Sequence, residues 1–164
     1  MLTISKKSGV TLIELITVIS LFSVLSIGLM SVYLIGMREM DKTEIENETM
    51  TVFKLIKREL TTTIKEAKNV QWGGSFPLVI TLYNDSIIRY RNNTVDGSDV
   101  IQKDHNDGSW NNIVQTNFVE YTINSISVDT TRQTADITVE LNGSYQDVNY
   151  SIKRAITHVH WRNQ

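Results

Sequence analysis

Glu14 is the one charged residue in an otherwise apolar stretch from Val10 to Met37. A charge inside a segment of hydrocarbon length costs about 2.5–3.5 kcal/mol on insertion scales, so a chain that keeps one there has a partner or a use for it. Directly ahead stands Lys6-Lys7-Ser8-Gly9, followed by Val10, Thr11, Leu12, Ile13 and then the carboxylate. Ionic pairing at low dielectric is the chemistry that such an arrangement offers. Bond-making chemistry has no comparable signature, because the chain lacks a Gly-x-Ser-x-Gly, a His-Glu-x-x-His and a glycine-rich phosphate loop. No catalytic residue and no enzymatic activity are expected.

Two other groups of residues invite a metal. His158 and His160 lie two apart, which on a strand places them on one side, with His105 as a distant third. No acidic or cysteine partner adjoins them, and a solvated edge strand explains them equally well. Asp96, Asp99, Asp104, Asn106 and Asp107 offer hard oxygen donors of the kind calcium takes. Their spacing departs from the calcium-loop pattern, since Lys103 occupies the place of the first ligand ahead of Gly108. No metal and no other cofactor are expected.

The elements that position Glu14 follow from periodicity. Leu15 to Met37 is 23 residues without a charge, and a helix of that length spans about 35 Å, enough to cross a bilayer once. Lys6 and Lys7 before it place the N-terminus in the cytoplasm and the bulk of the chain outside. A secretory signal peptide fits less well, because its apolar centre runs to about 7–15 residues and its small-residue cleavage site follows that centre. Thr17, Ser20, Ser23, Ser26, Gly28, Ser31 and Gly36 suit close helix contact in lipid, or else bond their hydroxyls back to their own helix.

Beyond Met37 no breaker appears before Gly73, so the helix is expected to continue to residue 72. Ile45, Val52, Ile56, Leu60, Ile64 and Ala67 form its apolar face, widened by Phe53 and Leu55. Asp41, Glu44, Glu46 and Glu48 form an acidic patch, followed by a basic cluster of Lys54, Lys57 and Arg58. Gly73, Gly74 and Pro77 end the helix. Leu78–Tyr83 and Ser86–Arg91 flank Asn84-Asp85 as a hairpin, and residues 92–112, rich in Asn, Asp, Gly and Ser, read as a long irregular loop. Phe118–Val128 and a run carrying Ala135, Ile137, Val139 and Leu141 alternate as half-buried strands. Asn142-Gly143 then turns into a last strand from Tyr145 to Trp161, with an irregularity before Ile156. The expected fold is α+β, a long N-terminal helix packed on a largely antiparallel sheet. Its divisions are residues 1–9, 10–37, 38–72 and 78–164.

Composition narrows the function further. The chain has no cysteine, so no disulfide framework or thiolate site is available. Its net charge is −2, or −4 for residues 10–164 alone because Lys6 and Lys7 lie in residues 1–9, and it lacks the basic stripe usual in a constitutive nucleic-acid binder.

The order Lys6-Lys7-Ser8-Gly9-Val10-Thr11-Leu12-Ile13-Glu14, opening a long apolar helix, resembles a type IV prepilin leader and the start of its mature helix. The resemblance implies a prepilin peptidase and methyltransferase that cuts between Gly9 and Val10 and methylates the new Val10 amine. It implies that Glu14, with Leu12 and Ile13 beside it, guides the subunit into a filament, while Lys6 and Lys7 set topology. The expected partners are that peptidase, other minor and major pilins or pseudopilins, a membrane assembly platform and the lipid bilayer. Nucleic acid stays open as a partner. Major pilins commonly carry a proline in the second half of the membrane segment, whereas the single proline here is Pro77. That departure speaks against a bulk filament subunit. Ile56-Lys57-Arg58-Glu59-Leu60 through Ile64, Ala67 and Val70, then a hairpin ending Ile88-Arg89-Tyr90-Arg91 and a last strand with Lys153-Arg154, resembles the layout of J-type minor pseudopilins and competence-type minor subunits. A low-copy subunit that starts or caps a filament is implied. The alternative is a surface adhesion or DNA-binding module displayed by the same route.

Overall fold

The computed structural model describes residues 11–116, 119–145 and 148–161, in two compact units, Met1–Met40 and Asp41–Gln164. A single helix, α1 (Leu12–Lys65), contributes to both.

In the first unit every described residue is exposed. By length and composition α1 can cross a membrane there. Its serines and Thr17 bond their hydroxyls back to the helix. Thr17 donates to the carbonyl of Ile13, Ser20 to Ile16, Ser23 to Ile19 and Ser26 to Phe22, each at 2.8 Å, and Ser31 donates to Ile27 at 2.9 Å. Back-bonding of this kind lets an apolar helix carry Ser and Thr without orphaned donors.

In the second unit the rest of α1 buries Ile45, Thr49, Val52, Ile56, Leu60, Thr63 and Ile64. Steps of three and four residues keep these on one face. The expected apolar stripe is present, with Phe53 and Leu55 half-buried at its margins and two threonines added. The helix ends at Lys65, not at residue 72, and Ala67–Gln71 is a strand, β1. Ala67 and Val70 are both buried three residues apart, a spacing that fits a helix. A register shift between Ala67 and Asn69 lets a strand bury both as well.

Five antiparallel strands form the first sheet in the order β1-β2-β3-β4-β5, with β2 Leu78–Leu82, β3 Ile87–Val95, β4 Ser98–Asp104 and β5 Asn111–Asn112. The β2–β3 turn falls at Asn84-Asp85 as expected, with Asp85 at φ 59° and the Leu82 amide donating to the Ser86 carbonyl. Residues 92–112 are not a loop. Most of this stretch is the β3–β4 hairpin, turned by Asp96-Gly97 at φ 51° and 84°. Positive φ at both central residues is what a type I′ turn requires, and Asp-Gly supplies it at low cost.

A second sheet holds β6 (Val119–Asp129), β7 (Thr134–Tyr145) and β8 (Val148–His160), again antiparallel. Ala135, Ile137, Val139 and Leu141 are all buried on β7, as the alternation predicts, whereas β8 keeps its register through Ile156 and shifts between Ile156 and Val159, after the residue ahead of which the irregularity is expected. Phe118, the expected start of β6, lies outside the described residues. Where the sheets approach, the Asn92 carboxamide stands in for a peptide unit. Its Nδ2 donates to the Ile123 carbonyl at 2.8 Å, and its Oδ1 accepts the Ile123 amide at 2.9 Å.

Asn142-Gly143 is not the turn into the last strand. Both residues lie within β7, paired to Ser151 and Tyr150, and the pairing runs on to Tyr145 opposite Val148. Gly143 has a packing role instead. A Cβ there would fall 2.5 Å from Ile45 Cγ2 and 2.9 Å from Thr49 Oγ1, so the missing side chain is what lets α1 sit against β7. Gly143→Ala should cost about 1–3 kcal/mol through overpacking. Thermal unfolding of the full chain in detergent, followed by circular dichroism of the β-rich unit, should show the midpoint falling by several degrees.

Candidate functional site

Thr11 and Glu14 form a reciprocal cap at the start of α1. The Thr11 amide donates to Glu14 Oε2 at 3.4 Å and the Thr11 hydroxyl reaches the same oxygen at 3.5 Å. In return the Glu14 amide donates to Thr11 Oγ1 at 3.3 Å. This is the capping box written by Thr-x-x-Glu, in which two orphaned helix donors are satisfied at once. It also sets a carboxylate at the positive end of the helix dipole. Sequence reasoning passed over Thr11, although the four-residue spacing that reveals it is plain in the chain.

Glu14 is therefore not without a partner in the single chain. Its carboxylate is engaged with its own helix terminus, through contacts longer than the 2.7–3.2 Å of strong hydrogen bonds. A full positive charge nearby would compete well against them. Leu12 and Ile13, between the two capping residues, are 78% and 74% exposed and so offer apolar surface beside the carboxylate. Lys6, Lys7, Gly9 and Val10 lie outside the described residues.

The acids of the supposed loop do structural work. Asp104, at the end of β4, is fully buried. It accepts Arg89 Nε at 2.8 Å together with a second guanidinium contact from Nη2, and its other oxygen takes the amides of Asp107 at 3.2 Å and Gly108 at 3.1 Å. Burial pushes the Asp104 carboxyl up, but the hydrogen bonds from Asp107 and Arg89 and the guanidinium charge outweigh it and hold the group below the usual carboxylate range. Arg89 and Arg91 also lie over the Trp110 ring, at 5.7 and 4.1 Å from its centroid, which ties the segment after β4 back to the sheet. A carboxylate that is more acidic when folded adds stability above its unfolded value of about 3.9, and that stability is lost as pH falls through the lower folded value. The melting temperature of the full chain should therefore drop on acidification below about pH 4. Asp104→Asn should melt lower than wild type at pH 7 and show a shallower acid dependence.

His158 and His160 are both exposed on β8 and His105 is exposed after β4. His158 adopts φ 53°, its amide donates to Asp136 Oδ1, and its Nδ1 lies 3.9 Å from that same oxygen. Among the described residues no group of three His, Cys, Asp or Glu is placed to hold a metal ion.

Within the second unit, polar groups fix α1 onto the first sheet. The buried Tyr90 hydroxyl bonds Thr63 at 2.9 Å and Glu59 at 3.2 Å, and Glu59 takes Lys103 Nζ at 2.6 Å. Burial pushes the Tyr90 phenol far above its ordinary value, with Glu59 adding to the effect and the Thr63 bond opposing it, so it stays neutral and can donate. Farther along, Thr116 donates to Glu48 at 2.9 Å. Such links fix the rotation of the helix more narrowly than apolar contact alone.

The prokaryotic N-terminal methylation motif matches residues 4–30 of the chain. No curated protein and no solved structure matches it. The matched stretch contains the Gly9-Val10 junction, the capping box and the first half of the membrane-length apolar run. With its N-terminal apolar helix the chain fits a type IV prepilin-like protein. The motif supports a substrate of a prepilin peptidase that associates with other pilins, and a structural pilin rather than an enzyme.

Proposed function

We propose that this chain is a minor subunit of a type IV pilus-like filament. It enters the membrane once as a prepilin, with Lys6 and Lys7 on the cytoplasmic side and the β-rich unit outside. Its residues 1–9 are the leader, and prepilin peptidase cuts between Gly9 and Val10 and methylates the new amine. The observation that carries this reading is the methylation motif over residues 4–30 together with the Thr11–Glu14 box at the start of a membrane-length helix.

Assembly follows from electrostatics. Once the leader is gone, the Val10 amine of one subunit is a cation at the depth of Glu14 on another. A charged hydrogen bond between them is shorter and stronger than the long contacts that Glu14 makes to Thr11, so the carboxylate exchanges its own cap for the neighbour. The uncut leader blocks the exchange by holding that nitrogen in an amide. Cleavage thereby acts as the switch that permits docking. Leu12 and Ile13 pack beside the pair, and an assembly platform in the membrane draws the subunit out of the bilayer.

The lack of proline between Val10 and Met37 favours a low-copy role at initiation or at the tip over a bulk subunit. A surface adhesion or DNA-binding module is the alternative, and the long free loop at residues 92–112 that would serve it is for the most part a paired hairpin. The position is tested by immunogold labelling of filaments from cells carrying an epitope at the chain's C-terminus. Labels confined to filament ends or bases agree with the proposal, and dense labelling along the shaft would replace it with a major-subunit role.

A further inference from the structure

Thr11 decides where α1 begins. Its carbonyl accepts the Leu15 amide at 3.2 Å, and its Oγ1 accepts the Glu14 amide at 3.3 Å. A residue whose carbonyl takes the first intrahelical bond while its side chain takes an amide three residues on is the N-cap, and its own backbone stands outside the helix. α1 accordingly starts at Leu12. Ahead of Thr11 the sequence offers a second start. Ser8 is also a preferred N-cap residue, and a helix begun there would take Gly9, Val10 and the bond between them into its first turn. Gly9 opposes that start, because glycine disfavours a helix. The hydroxyl of Thr11 opposes it more directly, by rewarding the start three residues later.

We infer that Thr11 is a positioning residue for processing: its hydroxyl holds the start of α1 at Leu12 and so leaves the Gly9-Val10 bond outside the helix, open to the peptidase. This rests on the processing reading above, in which that bond is the one cut. Proteolysis acts on locally open chain. Within a helix the Gly9 carbonyl would be committed to the amide four residues on, and the flanking side chains would wind around an axis rather than lie along a cleft. Thr11 touches none of the reacting atoms and works through the helix start alone. Without the hydroxyl, part of the population starts at Ser8 and does not bind productively. The apparent affinity falls by the competent fraction, so the loss lies in KM, whereas chain that starts at Leu12 is cut at the normal kcat. The bond goes to the backbone amide of residue 14, so a change of the Glu14 side chain leaves it in place.

The test uses full-length precursor in detergent micelles and purified prepilin peptidase. Thr11→Val keeps the shape of the side chain and removes the hydroxyl, whereas Thr11→Asn changes the shape and keeps a good N-cap acceptor. Thr11→Val should raise KM by at least ~3-fold with kcat unchanged, and Thr11→Ser and Thr11→Asn should be cut as wild type. In the same micelles the Cα chemical shifts of Gly9 and Val10 should move toward helical values in Thr11→Val alone. Equal KM for wild type and Thr11→Val, or a slowed Thr11→Val without helical shifts at Gly9 and Val10, would overturn the inference and leave the processing reading standing. Thr11→Asn cut as slowly as Thr11→Val would overturn it too, by assigning Thr11 to direct recognition by the peptidase. Wild-type precursor left uncut would remove the processing reading and the inference with it.

Discussion

Gly9→Val should leave the chain as uncut precursor in the membrane, with the cleaved form below detection on an immunoblot and no protein in sheared filaments. Glycine ahead of the scissile bond lets the backbone come close to a protease and adopt angles closed to other residues. Valine adds a β-branched side chain that is stiff and bulky at that point. The defect should be confined to processing. On the proposed topology, membrane insertion depends on the apolar run and on Lys6 and Lys7, which the substitution leaves alone, so precursor should accumulate at normal levels. Cleavage of the variant at a wild-type rate would remove Gly9 from the processing site.

Glu14→Ala should separate cleavage from assembly. The mature chain should form, because the scissile bond lies five residues away and is not held by the carboxylate. Incorporation should fall by about 100-fold or more, since stripping one member of a low-dielectric ion pair strands the other at a cost of about 3–5 kcal/mol. Alanine also removes half of the capping box, which by itself costs only about 0.5–2 kcal/mol of helix stability. Glu14→Gln distinguishes the two roles. Glutamine can occupy the same position in a capping box, so helix content should hold while incorporation stays as low as in the alanine variant. Normal assembly of the glutamine variant would assign Glu14 to capping alone and rule out pairing with a neighbour's amine. Quantifying mature chain in sheared and membrane fractions decides between these.

The long helix and the apolar face of its second half were legible in the sequence because the apolar residues of that half keep helical spacing, no proline interrupts the run and no glycine falls between Gly36 and Gly73. Its end was not legible. Ala67 and Val70 sit three apart, a spacing that a helix satisfies directly and a strand satisfies with a bulge, and only the pairing of β1 with β2 separates the two. The hairpins show the same limit from both sides. Asp96-Gly97 is a strong turn signal, but Asn92, Asn93 and Thr94 before it are poor strand formers, so the stretch reads as a loop until β4 pairs with it. Asn142-Gly143 carries an equally strong signal and is not a turn. The glycine there answers the approach of Ile45 and Thr49 from a helix almost a hundred residues earlier, which no local pattern encodes.

At the start of α1 one residue of the cap was legible in the sequence and the other was not. Glu14 stood out by its charge in an apolar run, and its partner in the cap was three residues away. What hid Thr11 is that a threonine beside a membrane segment passes as ordinary, whereas a lone carboxylate does not. The buried polar contacts of the second unit were not accessible at all. Tyr90, Thr63, Glu59 and Lys103 come from three elements, and neither Asp104 nor Arg89 signals by type that it will be buried against the other. Thr49 and Thr63 read as polar positions on a helix and turn out to line its packed face.

The N-terminal peptide tests the central claim most directly. Chain recovered separately from sheared surface material and from membranes would be digested and its N-terminus read by mass spectrometry. The account predicts a peptide beginning at N-methylated Val10. Its presence in sheared material would mark an extended surface filament, and its confinement to membranes a short pseudopilus or competence-type assembly. An intact Met1–Gly9 leader in both fractions would contradict the account.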